Sequence, residues 1–101
     1  MNETHLVQIL LPTTEHSKSD SLLEELVREL TVRFGGATSF LQSPAEGRWK
    51  IGTRTAFDEI TIVEVMTPTV DPEFWTALRF RLENRLNQQR VIIRMGTVHV
   101  F

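Results

Sequence analysis

No cysteine occurs anywhere in the 101 residues. That absence removes disulfides, thiolate metal sites and cysteine nucleophiles together. It does not fix the compartment, because a cytosolic protein needs none. Long apolar runs are missing too. The longest near the start, Leu6 to Leu11, is far too short for a signal core or a membrane span, so a cytoplasmic protein without membrane attachment is the expectation. Strong net charge is also lacking, at −2 overall. Glycine and proline are sparse (five and four), so each one present punctuates the chain.

What is present suits a soluble globular chain, 41% hydrophobic with two tryptophans. Its length allows one core, hence one domain over residues 1–101. Charge is unevenly spread. Residues 1–47 hold seven acidic side chains against three basic, and residues 48–101 hold six against eight. The basic excess falls mostly on a second helical stretch, as Arg79, Arg81, Arg85 and Arg90. Such a face can bind phosphate or an acidic partner, but in soluble helices it is usually solvated.

Two adjacent glycines, Gly35 and Gly36, organise the layout, because glycine closes a helix at positive φ without a Cβ clash. Before them lies an apolar strand, Leu6 to Leu11, ended by Pro12. Residues 12–20 read as a polar loop. Ser21 and Glu24 form a capping box, and Leu22, Leu23, Leu26, Val27, Leu30 and Phe34 then share one helical face. After the glycines, Ala37–Leu41 reads as a strand, Pro44–Gly47 as a turn and Arg48–Ile51 as a strand. The segment 37–51 is either a hairpin or one bent strand with a bulge. Gly52 and Thr53 break it. Glu59 to Met66 is rich in β-branched residues and forms a strand stopped by Thr67-Pro68. Asp71-Pro72 opens a helix as N-cap and first residue. Phe74, Trp75, Leu78, Leu82 and Leu86 form its buried stripe. Val91–Met95 is the final strand; Gly96 allows a bend or bulge, and Val98–Phe101 can continue the pairing.

The order β-α-β-β-α-β predicts an α+β, ferredoxin-like fold: one antiparallel sheet of four or five strands with both helices on one face. Side-chain alternation then divides the strands. Val7, Ile9, Leu11, Val63, Val65, Val91, Ile93 and Met95 face the helices. Leu6, Leu10, Ile60, Ile62, Met66 and Ile92 face the other way, around three polar residues: Gln8, Glu64 and Arg94. An open face that apolar marks a subunit interface or a ligand site. The interface reading predicts a homodimer or higher homo-oligomer, with Glu64 and Arg94 as a buried ion pair. The ligand reading places a small molecule near Gln8, Trp49, Glu64 and Arg94.

Chemistry-bearing motifs are weak. The only histidines are His5, His16 and His99. In a 4-1-3-2 sheet His99 approaches His5, with Glu3 nearby, as a candidate metal site; histidines near chain termini are more commonly exposed and unengaged. Asp58 and Glu59 are adjacent and point to opposite faces. Glu64 alone in an apolar sheet could act as a base, but Arg94 on the same face keeps it ionised. Gly35-Gly36 ends a helix, whereas a phosphate loop begins one. The strand Glu59–Met66 carries no aromatic residue on which a base could stack, which argues against RNA. No catalytic residue is assigned and no cofactor is implied.

The run Arg33-Phe34-Gly35-Gly36-Ala37-Thr38, followed by Gly47-Arg48-Trp49, resembles a family of small uncharacterised bacterial domains. In that family a helix ends in Phe-Gly-Gly, a strand starts near a Thr, and Gly-x-Trp precedes a strand carrying a Glu. The likeness covers about residues 33–65, with Glu59 or Glu64 in the place of that Glu. It implies a ferredoxin-like, oligomer-forming fold and carries no agreed activity. Taken with the packing signals, it points to a regulatory or structural non-enzymatic module. The alternative is a small cofactor-independent enzyme or metabolite-binding protein with a pocket between sheet and helices.

Overall fold

The computed structural model describes residues 2–12, 16–42, 48–51, 54–57, 60–87 and 90–101. The elements are β1 (Asn2–Pro12), α1 (His16–Phe34), β2 (Thr38–Gln42), β3 (Arg48–Ile51), β4 (Arg54–Phe57), β5 (Ile60–Thr67), α2 (Pro72–Arg85) and β6 (Ile92–Val100). Four strands form an antiparallel sheet in the order β2-β5-β1-β6. This is the 4-1-3-2 order of the ferredoxin-like fold, with a separate β3–β4 ribbon inserted between its second and third strands.

Three local features set these bounds. Gly35 sits at φ +84, and its N–H donates to the Thr31 carbonyl at 2.8 Å, ending α1 as the paired glycines require. Asp71 caps α2: its carboxylate accepts from the Glu73 N–H at 3.1 Å, and Pro72 takes the first turn. Strand β6 runs unbroken through Gly96.

Several expectations need correction. Helix α1 begins at His16 rather than Ser21, so Ser21 lies inside the helix and its capping box is not used. Residues 16–20 contain neither glycine nor proline, and nothing stops the helix from propagating back through them. The segment 37–51 is neither a hairpin nor a single bent strand. Strand β2 pairs with β5, and β3 pairs forward with β4, a strand that the expected element order does not contain. The expected turn at 44–47 and the break at 52–53 lie outside the described residues, as do Asp58 and Glu59.

Helices and sheet meet in one core. Val7, Ile9, Leu11, Val63, Val65 and Val91 from the sheet side pack with Leu22, Leu26 and Leu30 of α1 and Trp75, Leu78 and Leu82 of α2. Ile9, Leu30 and Val63 are wholly buried. The sheet parity read from the sequence therefore holds. Met95 lies opposite Val7 on the helix side as expected, but it is 51% exposed, because it sits on the edge strand β6 and no helix residue covers it in the core cluster. Where α1 ends and α2 begins, Phe34 stacks on Trp75 (5.3 Å between centroids) and meets Phe74 edge-on. Arg33 lies over the Phe74 ring at 3.9 Å. Two further ties cross between the helices: Arg81 to Glu29 and Arg85 to Glu25, both 2.7 Å.

Candidate functional site: the open sheet face

With both helices packed on one side, the site must be built from the even-numbered positions of β1 and their partners. The register aligns them in rows across the sheet. Gln8 lies opposite Glu64 on one side and Arg94 on the other, and Thr38 lies beyond Glu64 on β2. In the next row toward the start of β1, Leu6 lies between Met66 and Gly96. In the row on the other side, Leu10 lies between Ile62 and Ile92.

The central row is hydrogen-bonded as a relay. The Gln8 Nε2 donates to Glu64 Oε1 at 2.6 Å, and Arg94 Nε donates to Gln8 Oε1 at 2.8 Å. One amide thus satisfies an anion and a cation at once, and both its polar atoms are committed. The expected direct Glu64–Arg94 ion pair is corrected here. Strand β1 lies between β5 and β6, which separates the two charged residues by two strand spacings, roughly 10 Å. Gln8 bridges that gap. The 4-1-3-2 order already placed β1 in the middle, so the bridging role was readable from the sequence. Thr38 beside Glu64 was missed; it follows only once β2 is paired with β5.

The apolar part of this face is smaller than expected. Leu10, Ile60 and Ile62 form a second buried cluster, with Ile92 packed against it. At 9%, 5% and 7% exposure they are already covered within a single chain and contribute no area to an interface. Of the six interface candidates, Met66 is exposed at 56%, and Leu6 and Ile92 are half-buried. The exposed patch is therefore Leu6, Met66 and Ile92 around the polar relay.

The proposed pocket between sheet and helices does not match these positions. That space is filled by the core, and Gln8, Glu64 and Arg94 lie on the opposite face. Trp49 lies on β3 in the separate ribbon, paired with Ala56, so the structure does not place it in the row with the other three. A shallow depression of about 110 Å³ lies between the helices, floored by Leu22, Leu26 and Leu82 beneath the two inter-helix ion pairs. It is well below the ~300 Å³ of a small-molecule site, and its charges are already paired. The Glu25 carboxyl there is held below the usual glutamate range, first by its hydrogen bond from Arg85 and then by that guanidinium's charge.

The histidines are only partly brought together. His99 lies opposite Glu3, while His5 lies between Thr67 and Thr97. Among the described residues no group of three or more His, Asp or Glu gathers to hold a metal ion. The Nδ1 atom of His5 is buried without a hydrogen-bond partner. Among the described residues no helix is long and apolar enough to cross a membrane.

No protein-family model matches the chain, and no curated protein does. Solved structures do. A phage SAM lyase in complex with S-methyl-5'-thioadenosine overlays with a TM-score of 0.65 at 13% identity, over 92% of this chain and 80% of that one. CPII, a nitrogen regulatory PII-like protein from Thiomonas intermedia K12 bound to ADP, AMP and bicarbonate, overlays with a TM-score of 0.53 at 13% identity, over 99% of this chain and 97% of that one. At this identity the likeness is one of fold.

Proposed function

We propose that this chain is a small non-enzymatic regulatory module that acts as a homo-oligomer, its copies meeting through the open sheet face. The observation that carries this reading is the relay itself. A carboxylate and a guanidinium are held either side of Gln8, on a face that no helix of the described residues covers. Around them sit an exposed methionine and two half-buried aliphatic side chains. A face that is both apolar and oppositely charged suits a second protein surface of the same kind.

The energetics fit a modest association. Two copies contribute six such side chains, each stabilising by up to ~1.5–3 kcal/mol when taken from full exposure to burial. Leu6 and Ile92 start half-buried, so the realised sum is smaller. Lost rigid-body freedom costs ~4–15 kcal/mol. Micromolar association is the expected scale.

The signal sensed by such a module is, on this reading, an adenosine-bearing small molecule. Both structural relatives hold one, S-methyl-5'-thioadenosine in the lyase and ADP and AMP in CPII. Calorimetric titration with ADP, AMP and S-methyl-5'-thioadenosine tests this part; heat saturating at one equivalent per chain or per oligomer supports it. Silence with all three removes the sensing role. The second reading, in which the open face is itself the floor of a ligand site, predicts that ligand and self-association exclude each other. A nucleoside that converts oligomer to monomer favours that reading.

A further inference from the structure

The rows of the open face specify how two copies fit. Resting on the interface reading above, we propose that the faces pair about a two-fold axis running parallel to β1 in the plane between the two sheets. Such an axis leaves the position along the strand unchanged and exchanges the two sides of β1. Each Glu64 then faces Arg94 of the partner subunit, because the two flank Gln8 at equal distance on opposite sides. Gln8 faces its own copy on the axis.

The same operation pairs the neighbouring row by size. Met66 and Gly96 flank Leu6 on opposite sides. Met66 is the exposed large side chain of that row. At Gly96 a Cβ would meet no heavy atom within 4 Å, so the surface there is open. The axis along β1 sets each Met66 over the vacancy at the partner's Gly96. A two-fold axis across the strands through Gln8 does the opposite: it stacks Glu64 on Glu64 and Arg94 on Arg94, which repels. Charge and shape, read from two separate rows, select one axis.

Charge reversal tests this, with the folded state of each variant confirmed by circular dichroism. Glu64→Arg alone and Arg94→Glu alone each put like charges across the interface, and each weakens the dimer by at least about tenfold in Kd. The double variant Glu64→Arg with Arg94→Glu restores it under the axis along β1. Under the crossing axis it still repels. Because reversal also disturbs the bonds to Gln8 within each chain, the two single variants are mixed: one face is then all basic and the other all acidic, so a heterodimer forms about either axis, and the mixture tests the face while the double variant tests the axis. Gly96→Leu fits the monomer but meets Met66 of the partner subunit, and it also weakens the dimer about tenfold or more. Sedimentation velocity reads all of these. A wild-type monomer at micromolar concentration overturns the interface reading itself. A wild-type dimer whose double variant stays monomeric, or which ignores Gly96→Leu, overturns the axis and leaves the interface standing, whereas mixed single variants that do not associate overturn this face as the interface. A trimer overturns the two-fold in the same way.

Discussion

Replacing Gln8 with methionine removes both polar atoms of the relay while keeping side-chain length. The two losses differ in size. The bond to Glu64 is part-buried and charge-assisted, a class worth ~1.5–3 kcal/mol. Arg94 is exposed, so its guanidinium turns to water and adds well under ~1 kcal/mol. Methionine between Leu6 and Leu10 recovers some apolar burial, which limits the net loss to about 1.5–2.5 kcal/mol. For a domain of this size each kcal/mol moves the melting midpoint by roughly 4–8 °C, so a fall of about 6–20 °C is expected. Urea unfolding followed by tryptophan fluorescence reads it, since Trp75 is buried against Phe34. Working at sub-micromolar chain keeps association out of the measurement. A midpoint unchanged within about 0.5 kcal/mol, an ordinary surface effect, refutes the relay as a stabilising element.

Three further outcomes are expected. Ile62→Asp, at a position that the side-chain alternation assigns to the interface, should destabilise the single chain itself. Ile62 is 7% exposed within one copy, and an unpaired carboxylate there costs at least ~3 kcal/mol; a stability by urea titration within about 0.5 kcal/mol of wild type contradicts this. Asp71→Ala removes the acceptor for the Glu73 N–H and should lower stability by ~0.5–2 kcal/mol without changing the oligomeric state, checked by urea titration and sedimentation. Glu25 should titrate below the ordinary glutamate value, and Arg85→Gln should return it upward in an NMR titration, because Arg85 is the principal cause of the shift. Its folded pKa is depressed, so the stability it adds is present above the ordinary glutamate range and fades as pH falls through the folded value. An unmoved Glu25 in the variant assigns the shift elsewhere.

Features fixed by adjacent residues were legible in the sequence. The Asp71-Pro72 start of α2 and the Gly35 stop of α1 each follow from one residue's backbone or side chain. Sheet parity was legible because the alternation of β1 and β5 leaves only one face for Ile9 and Val63. What failed needed tertiary knowledge. The start of α1 at His16 is set by propagation, which no local stop signal opposes. The pairing of β3 with β4 rather than β2 is a choice among partners that short strands do not encode. At the site, the three polar residues were identified but the bond between them was drawn wrongly. Parity shows that Glu64 and Arg94 share a face, and the 4-1-3-2 order expected from the sequence already put Gln8 between them, so this error was one of inference rather than of missing information.

The central claim is that the open face joins copies of this chain. Sedimentation equilibrium of the wild-type protein across a dilution series through the micromolar range tests it most directly. The account predicts a reversible two-chain species that dissociates on dilution and is lost in the Glu64→Arg variant. A single-chain mass throughout the series contradicts it.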